Sequence, residues 1–250
     1  MIEIKNLSAG YGAKTVLCDI SARFEAGKLT SIVGVNGCGK STLLKSILGI
    51  LPPSDGEILI DGVPLTEMSR NEIAKRVAYL SQGMAVPDMT VGQLVLHGRF
   101  PYLSYPRRYS TADRDIARAA MDAVGISELA DSPLSSLSGG MRQNAYIAMA
   151  LAQDTDHILL DEPTTYLDIR HQLELMKLLK KLAESGKSIV TVMHDLPLAF
   201  DFSDEIAVLD KGQIIAQSPP AELCGNPVLP EIFGIRINRI EGKDKYYYEA

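Results

Sequence analysis

Eight residues, 34–41, constrain the fold of this 250-residue chain more than any other segment, because they have the pattern G-x-x-x-x-G-K-S. They follow a short apolar run, residues 29–33, that is typical of a buried strand, and they precede residues 42–48, which favour a helix ending at Gly49. In such a strand–loop–helix unit, backbone N–H groups can surround phosphate oxygens. The segment therefore predicts a phosphate-binding loop in an α/β core, in preference to a glycine-rich turn without a ligand.

The residue types of this loop suit phosphate binding. Glycines let the backbone approach phosphate oxygens closely, and the helix N-terminus adds partial positive charge. Lys40 is predicted to bridge the β- and γ-phosphates of a nucleoside triphosphate, and Ser41 to ligate Mg²⁺. Cys38 is interpreted as a small residue whose N–H faces phosphate, with a redox switch as the alternative. The predicted phosphate-binding residues are Gly34, Asn36, Gly37, Cys38, Gly39, Lys40, Ser41 and Thr42.

A second chemical signal is the apolar segment 157–160, which ends in the two carboxylates of Asp161 and Glu162. Asp161 is predicted to hold Mg²⁺ through water, as strand-end aspartates of phosphate-loop enzymes do. Glu162 is then free to orient or deprotonate an attacking water. The alternative is a solvated Asp-Glu-Pro turn, which the upstream phosphate loop disfavours.

Composition excludes several other classes of protein. The net charge of −6 disfavours general nucleic-acid binding, because there is no basic surplus to neutralise a phosphate backbone. The three scattered cysteines, Cys18, Cys38 and Cys224, predict reduced thiols in a cytosolic protein, not disulfides or a zinc site. The first residues do not resemble a secretion signal, and no apolar run approaches the ~20 residues that cross a bilayer. A role in a membrane process would therefore require docking on another chain.

The order of predicted elements indicates an interrupted α/β fold. Strand and helix patterns alternate in residues 1–83 and 154–225, which predicts a nucleotide-binding lobe with a mainly parallel sheet and an N-terminal antiparallel portion. Residues 84–153 are predicted to be helical, with a capping box at Thr90 and Gln93, and to form a separate lobe. Residues 226–250 are predicted to be a C-terminal extension that ends in a hairpin.

One further motif resembles a known family. Residues 137–141, Leu-Ser-Gly-Gly-Met, resemble the L-S-G-G-Q signature of the ATP-binding cassette (ABC) ATPases, and the resemblance covers nearly the whole chain. It implies a P-loop NTPase (RecA-like) core, ATP and Mg²⁺ as ligands, and a homodimer in which two chains sandwich two ATP molecules. Each site would combine one chain's phosphate loop with Ser138, Gly139 and Gly140 of the other. Met141 departs from the pattern, which removes a side-chain hydrogen bond but leaves the backbone donors.

Four smaller matches carry roles implied by the same resemblance. Tyr11 resembles the aromatic residue that stacks on adenine, although a tyrosine in a turn is common. Gln82 resembles the glutamine that reaches Mg²⁺ and the water and begins the linker between lobes. Asp168 resembles the loop residue that crosses the dimer interface. His194 resembles the switch histidine that contacts the γ-phosphate, and the alternative is a structural histidine.

The resemblance also implies a place of action. A single cassette without a transmembrane segment resembles an importer subunit, and residues 95–102 and 163–168 resemble ATPases of the iron-siderophore, haem and cobalamin uptake group. The implied partners are a second copy, integral membrane permease subunits and, indirectly, a substrate-binding protein, with no nucleic acid. The implied location is the cytoplasmic face of the cell membrane. The alternatives are a soluble ATPase, such as one of iron–sulfur cluster assembly, and a binding module with structural ATP. An arginine- and tyrosine-rich stretch, residues 99–109, is interpreted as a protein-docking surface.

Overall fold

A computed structural model describes residues 1–83, 86–240 and 245–249. The strands in chain order are β1 (Ile2–Tyr11), β2 (Lys14–Phe24), β3 (Leu29–Val33), β4 (Asp55–Ile60), β5 (Val63–Pro64), β6 (Val77–Leu80), β7 (His157–Asp161), β8 (Ser188–Val192), β9 (Glu205–Asp210), β10 (Gln213–Ser218), β11 (Arg236–Arg239) and β12 (Tyr246–Glu249). The α-helices are α1 (Lys40–Ile47), α2 (Arg70–Arg76), α3 (Val91–His97), α4 (Thr111–Ala123), α5 (Gly139–Ala152), α6 (Ile169–Glu184), α7 (Leu196–Phe202), α8 (Pro220–Leu223) and α9 (Val228–Phe233).

Two sheets form the centre of the protein. The larger has the order β10-β9-β3-β8-β7-β6, in which every neighbouring pair is parallel except β9 and β10. The smaller, β2-β1-β4-β5, is antiparallel, and β11 and β12 make a separate hairpin. The predicted fold class, a P-loop NTPase core with an N-terminal antiparallel portion and inserted helices, is confirmed.

Alternating side chains of the parallel sheet enter two different cores. Ile158 and Leu160 of β7 pack with the helices α3–α6, whereas Leu159 between them packs with α1 and the antiparallel sheet. The parallel strands are therefore apolar on both faces, which explains their short, nearly continuous apolar sequences. The parallel sheet therefore lies between two apolar cores, and packing on both faces fixes the positions of its strand ends.

The helices of residues 91–152 pack on one another, and their apolar side chains join the core of one sheet face. Helix α3 begins at the predicted capping box, where Thr90 Oγ1 accepts from the Gln93 N–H and the Gln93 side chain accepts from the Thr90 N–H. Residues 84 and 85, where the predicted helical region starts, lie outside the described residues. So do residues 241–244 and 250 of the predicted C-terminal extension.

Two local features differ from the sequence-based expectation. Helix α2 was not expected, because Ile73 is its only buried residue and its apolar periodicity is weak, although Ser69 and Glu72 form a capping box. Arg99 was expected on a docking surface but is only 7% exposed. Among the described residues, no helix combines the length and the apolarity needed to cross a membrane.

Candidate active site

The carboxyl ends of four parallel strands converge on one edge of the central sheet. The phosphate loop follows β3, Gln82 follows β6, Asp161 ends β7 and His194 follows β8. Because parallel strands end at the same edge, residues far apart in sequence become neighbours there. This edge is where ligands bind in open α/β sheets.

The loop of residues 34–39 adopts backbone conformations that require glycine. Gly37 and Gly39 have φ values of 78° and 116°, a region that L side chains rarely adopt. A Cβ on Gly34 would lie 2.2 Å from the carbonyl oxygen of Leu209. The loop is therefore a bare backbone cradle that leads directly into the N-terminus of α1.

Lys40, the first residue of α1, is buried, and its ammonium is held inside the loop. Its Nζ donates to the carbonyl oxygens of Gly34 at 2.8 Å and of Val35 at 3.0 Å. Cys38 Sγ lies 4.0 Å from the same nitrogen, and burial raises the pKa of the Cys38 thiol despite this nearby positive charge. The cation is thus aimed at the place where the loop would hold phosphates.

Asp161 provides a test of whether the site fits a divalent cation. It is 2% exposed, and its Oδ1 has no hydrogen-bond partner among the described residues. Burial raises the pKa of Asp161, against the opposing effect of a hydrogen bond from Ser41. A buried carboxylate with a free oxygen beside a serine hydroxyl is the hard oxygen donor set that Mg²⁺ takes. The residues present therefore fit the ion.

Glu162 accepts hydrogen bonds from three side chains at its two oxygens. Gln82 Nε2 donates to Oε2 at 2.6 Å, and His194 Nε2 lies 2.5 Å from Oε1. Thr165 Oγ1, which was not among the predicted site residues, donates to Oε2 at 3.4 Å. Glu162 itself has a φ of 53°, an uncommon value for a non-glycine residue. Of the predicted catalytic residues, Gln82 and His194 thus each contact Glu162, whereas Lys40 lies in the phosphate loop.

These residues surround a cavity of about 470 Å³. Its lining consists of Val16, Asn36, Gly37, Gly39, Lys40, Ser41, Thr42, Gln82, Glu162 and His194. Val16, from β2 of the other sheet, was not predicted, and its only sequence signal was its place in a strand. Tyr11 lies at the end of β1, half exposed, and is not among the described residues that line the cavity.

The signature residues lie elsewhere on the chain. Ser138 caps α5, because its Oγ accepts from the Met141 N–H at 3.3 Å, and Gly139 and Gly140 form the first turn. Ser138, Gly139, Gly140 and Asp168 are not among the described residues that line the cavity. A Cβ on Gly140 would lie 3.4 Å from the Tyr166 carbonyl oxygen, so the signature abuts the segment that leads to Asp168.

Asp168 serves as the N-cap of α6. Its Oδ1 accepts from the His171 N–H at 2.9 Å and lies 2.8 Å from His171 Nδ1. The hydrogen bonds from the backbone and the side chain of His171 lower the pKa of Asp168. Its neighbours Tyr166 and Ile169 are 74% and 77% exposed, and Tyr166 lies beside Gly139 and Gly140 of the signature.

Comparison with known proteins decides the family. The sequence pattern of the family described as ABC transporter matches residues 17–165, which contain the phosphate loop, the signature and the Asp161–Glu162 pair. The chain belongs to the ABC transporter family. It binds ATP and is an ATPase.

Individual relatives of this ABC ATPase agree with the family match. The chain is 42% identical over 93% of its length to the petrobactin import ATP-binding protein FpuD of Bacillus anthracis, and it covers 86% of that protein. It is 40% identical over 93% of its length to the ferric enterobactin transport ATP-binding protein FepC of Escherichia coli, again covering 86%. Among solved structures, the dimeric ATP-binding cassette MJ0796 bound to ADP and Pi superposes with a TM-score of 0.77 and 29% identity, over 88% of this chain and 99% of that one.

Proposed function

We propose that this ABC ATPase is the ATP-hydrolysing subunit of a membrane importer for iron-siderophore, haem or cobalamin. The observation that carries the substrate class is the similarity to FpuD and FepC over nearly the whole chain, because those relatives are named for petrobactin import and ferric enterobactin transport. A third relative, 38% identical over 93% of this chain, is the hemin import ATP-binding protein HmuV of Thermobifida fusca.

The nucleotide is bound by the phosphate loop and by Tyr11. The N–H groups of residues 34–42 and the ammonium of Lys40 bind the phosphates, and Tyr11 stacks on adenine. Ser41, Gln82 and Asp161 would hold Mg²⁺, which would supply positive charge against the negative charge that develops on the phosphates.

Proton transfer from the attacking water depends on Glu162. Glu162 orients the attacking water and accepts its proton, and His194 contacts the γ-phosphate. The support for these roles is the direct contact of Gln82 and His194 with the two oxygens of Glu162. Gln82 also lies at the start of the linker to the helical region, so a change at the nucleotide site can be transmitted through it to that region.

In this proposal, two chains complete each site. Ser138, Gly139 and Gly140 lie outside the cavity, yet their N–H groups sit at the N-terminus of a 14-residue helix, which favours an anion. We infer that they meet the γ-phosphate bound to a second copy, and that Asp168 crosses the same interface. On this proposal, residues 1–83 and 154–225 act as the nucleotide-binding lobe, 84–153 as the signature lobe and 226–250 as an extension.

Transport would follow from closure and reopening of this dimer. ATP draws the two chains together because both contact its γ-phosphate, and hydrolysis removes that shared contact. The movement is passed to integral membrane permease subunits that receive substrate from a binding protein. The chain would then act at the cytoplasmic face of the cell membrane.

Affinity purification from solubilised membranes tests the function. The tagged Glu162→Gln variant serves as bait, because it should hold ATP in the closed dimer, and Glu184→Gln, an exposed change at the end of α6, is the matched control. The expected result is a polytopic permease that, in vesicles with the chain that keeps Glu162, raises ATPase activity when a ferric siderophore and its binding protein are added. Soluble partners alone, with activity indifferent to membranes, would instead support the iron–sulfur cluster assembly class.

A further inference from the structure

Arg99 is a buried cation at the far end of the helical region from the signature. It is 7% exposed and follows directly after α3 and Gly98. Its Nε donates to Asp113 Oδ1 at 3.0 Å, and its Nη1 donates to the carbonyl oxygens of Ala152 at 3.1 Å and Gln153 at 3.4 Å. One guanidinium therefore joins the end of α3, the first turn of α4 and the C-terminus of α5.

The groups around the Arg99 side chain suit a planar guanidinium. The Arg99 Cζ lies 4.0 Å from the centroid of the Tyr102 ring, a cation–π contact. A Cβ on Gly98 would lie 2.3 Å from the Met149 carbonyl oxygen, so α5 passes directly against this backbone. Lysine has no fork of donors and cannot make the carboxylate contact and the carbonyl contacts in the same geometry.

The same end of α5 is fastened to the core. Gln153, the C-cap of α5, donates from Nε2 to the carbonyl oxygens of Ala74 at 2.5 Å and Val77 at 3.0 Å. Ala74 belongs to α2 and Val77 begins β6, the strand that leads to Gln82. Arg99, Asp113 and Gln153, here called the α5 clamp, thus hold α5 where the helical region meets the parallel sheet.

Helix α5 connects this clamp to the signature. It has 14 residues, which corresponds to a length of about 21 Å. Its other end presents Ser138, Gly139 and Gly140. Because a packed helix moves as a rigid rod, a small tilt at the clamp displaces the signature N–H groups. Hydrogen bonds to phosphate weaken steeply with distance and angle, so such a displacement is expected to matter at the nucleotide.

We propose that Arg99 is a positioning residue for ATP hydrolysis, which acts through the α5 clamp to aim the signature at the nucleotide held by a second copy of the chain. The inference rests on the proposed two-chain site. The clamp sets the angle of α5 on the core and leaves the phosphate loop of its own chain unchanged. Loss of the clamp therefore weakens the site of the partner subunit and spares nucleotide binding by the same chain.

Arg99→Lys tests this, with Arg118→Lys on the exposed face of α4 as the matched control. ATP affinity of the monomer is measured by fluorescent-nucleotide titration, and ATP-dependent dimerisation by analytical ultracentrifugation in the Glu162→Gln background. The expected result for Arg99→Lys is a dimer dissociation constant raised about tenfold and a kcat lowered to a similar extent. Monomer affinity stays within about twofold, because the clamp and the phosphate loop are independent. Arg118→Lys leaves all three values unchanged.

Mixed dimers separate positioning from general destabilisation. One dimer pairs an Arg99→Lys chain with a Lys40→Ala chain, so its functional site combines an intact phosphate loop with an intact signature. The other pairs an Arg99→Lys, Lys40→Ala chain with a chain that keeps both residues, so its functional site meets the altered signature. With Glu162→Gln in every chain, the first dimer is expected to retain ATP and the second to lose it. Equal retention by the two dimers would overturn the proposal.

Other results of these measurements also test the proposed role of Arg99. If Arg99→Lys no longer unfolds cooperatively, Asp113→Asn is put through the same measurements, since it removes the charge that Arg99 contacts. Unchanged dimerisation and turnover in a folded clamp variant, or a parallel fall in monomer affinity, would contradict positioning. Failure of the chain without clamp substitutions to dimerise and hydrolyse ATP would instead contradict the proposed function.

Discussion

At the scale of single residues, the carboxylate of Glu162 is held by hydrogen bonds from three side chains. Gln82 and His194 each bond one of its oxygens, so the proposed base is oriented from both sides. Its uncommon φ of 53° places backbone strain at the same residue. Strain and converging side chains at one position are typical of a residue on which chemistry depends.

Replacement of Glu162 by glutamine should stop turnover and preserve ATP binding. Glutamine keeps the size of the side chain but cannot accept the proton of water, so kcat is expected to fall at least about 100-fold. ATP should then accumulate in a closed dimer, measured as nucleotide retained by the dimer after gel filtration. Glu184→Gln is the control, and a monomer with normal turnover from Glu162→Gln would refute the assignment.

Replacement of Asp161 by asparagine should separate stability from metal binding. Burial raises the pKa of Asp161, so the nucleotide-free protein loses stability as the pH rises from the ordinary aspartate pKa to this raised pKa, above which the carboxylate is ionised. Asparagine removes the charge, and a gain of about 1 kcal/mol would raise the Tm by 2–4 °C. Mg²⁺ with ATP should raise the Tm of the unmodified chain but not that of the variant.

Scanning calorimetry with and without Mg²⁺ and ATP measures both effects of Asp161→Asn. Asp115→Asn, an exposed change on α4, controls for loss of one negative charge. A lower Tm in the nucleotide-free variant would show that the carboxylate is a net stabilising group. That result would contradict the interpretation of Asp161 as a buried carboxylate whose charge a bound cation would neutralise.

At the scale of elements, the N-termini of α2 and α5 have similar caps, but only that of α5 is proposed to bind an anion. Ser69 at α2 and Ser138 at α5 each accept from a backbone N–H three residues on, both at 3.3 Å. In α2 the Glu72 side chain accepts from the Ser69 N–H and completes a capping box, whereas the Met141 side chain at the corresponding place in α5 has no oxygen to accept from the Ser138 N–H. The signature end is therefore left with more open N–H groups, as an anion site requires.

Ser138→Ala and Ser69→Ala form a matched pair at this scale. Each removes one N-cap and should cost about 1 kcal/mol in the free energy of unfolding. Only Ser138→Ala should also abolish ATP-dependent dimerisation, because only its helix is proposed to face the nucleotide of a second copy. Urea unfolding and ultracentrifugation with ATP measure the two effects. Equal dimerisation by the two variants would argue against the two-chain site.

At the scale of the whole molecule, the two sheets are joined by a polar contact as well as by their shared core. His157, the first residue of β7, is 1% exposed, and its Nε2 lies 3.0 Å from Oδ1 of Asp61 in the β4–β5 turn. The same carboxyl group accepts from the Met1 amine at 2.7 Å and pairs with Arg76 at 3.3 Å. Burial lowers the pKa of His157, although Asp61 and Asp156 oppose this and the Met1 amine adds to it.

This lowered pKa predicts how stability depends on pH. The unfolded chain binds a proton at His157 near pH 6.5, before the folded chain does, so stability falls as the pH drops below that value. The slope from this one group approaches about 1.4 kcal/mol per pH unit. Urea midpoints between pH 5.5 and 7.5 measure it. His157→Gln should flatten the dependence relative to exposed His97→Gln, and an unchanged slope would remove His157 as its source.

The elements that sequence predicted best are those whose signals are local. Strand β3 has the predicted limits, because a short apolar run depends only on neighbours along the chain. Helix α2 was missed because it buries little apolar surface, and its capping box was its one clear signal. Glycine positions in the phosphate loop were predictable because Gly37 and Gly39 have positive φ values and a side chain on Gly34 would clash with Leu209.

Sequence by itself determined the chemistry of this ATPase: a phosphate loop, a strand-end pair of carboxylates and a signature, each encoded within a few consecutive residues. Only the tertiary structure decided which of them meet. It brought Val16 into the cavity from the other sheet, left Ser138 outside it, and buried Arg99 against the end of α5. These outcomes depend on the pairing of distant strands and the packing of helices, and such long-range contacts leave no mark in the local pattern of any one segment.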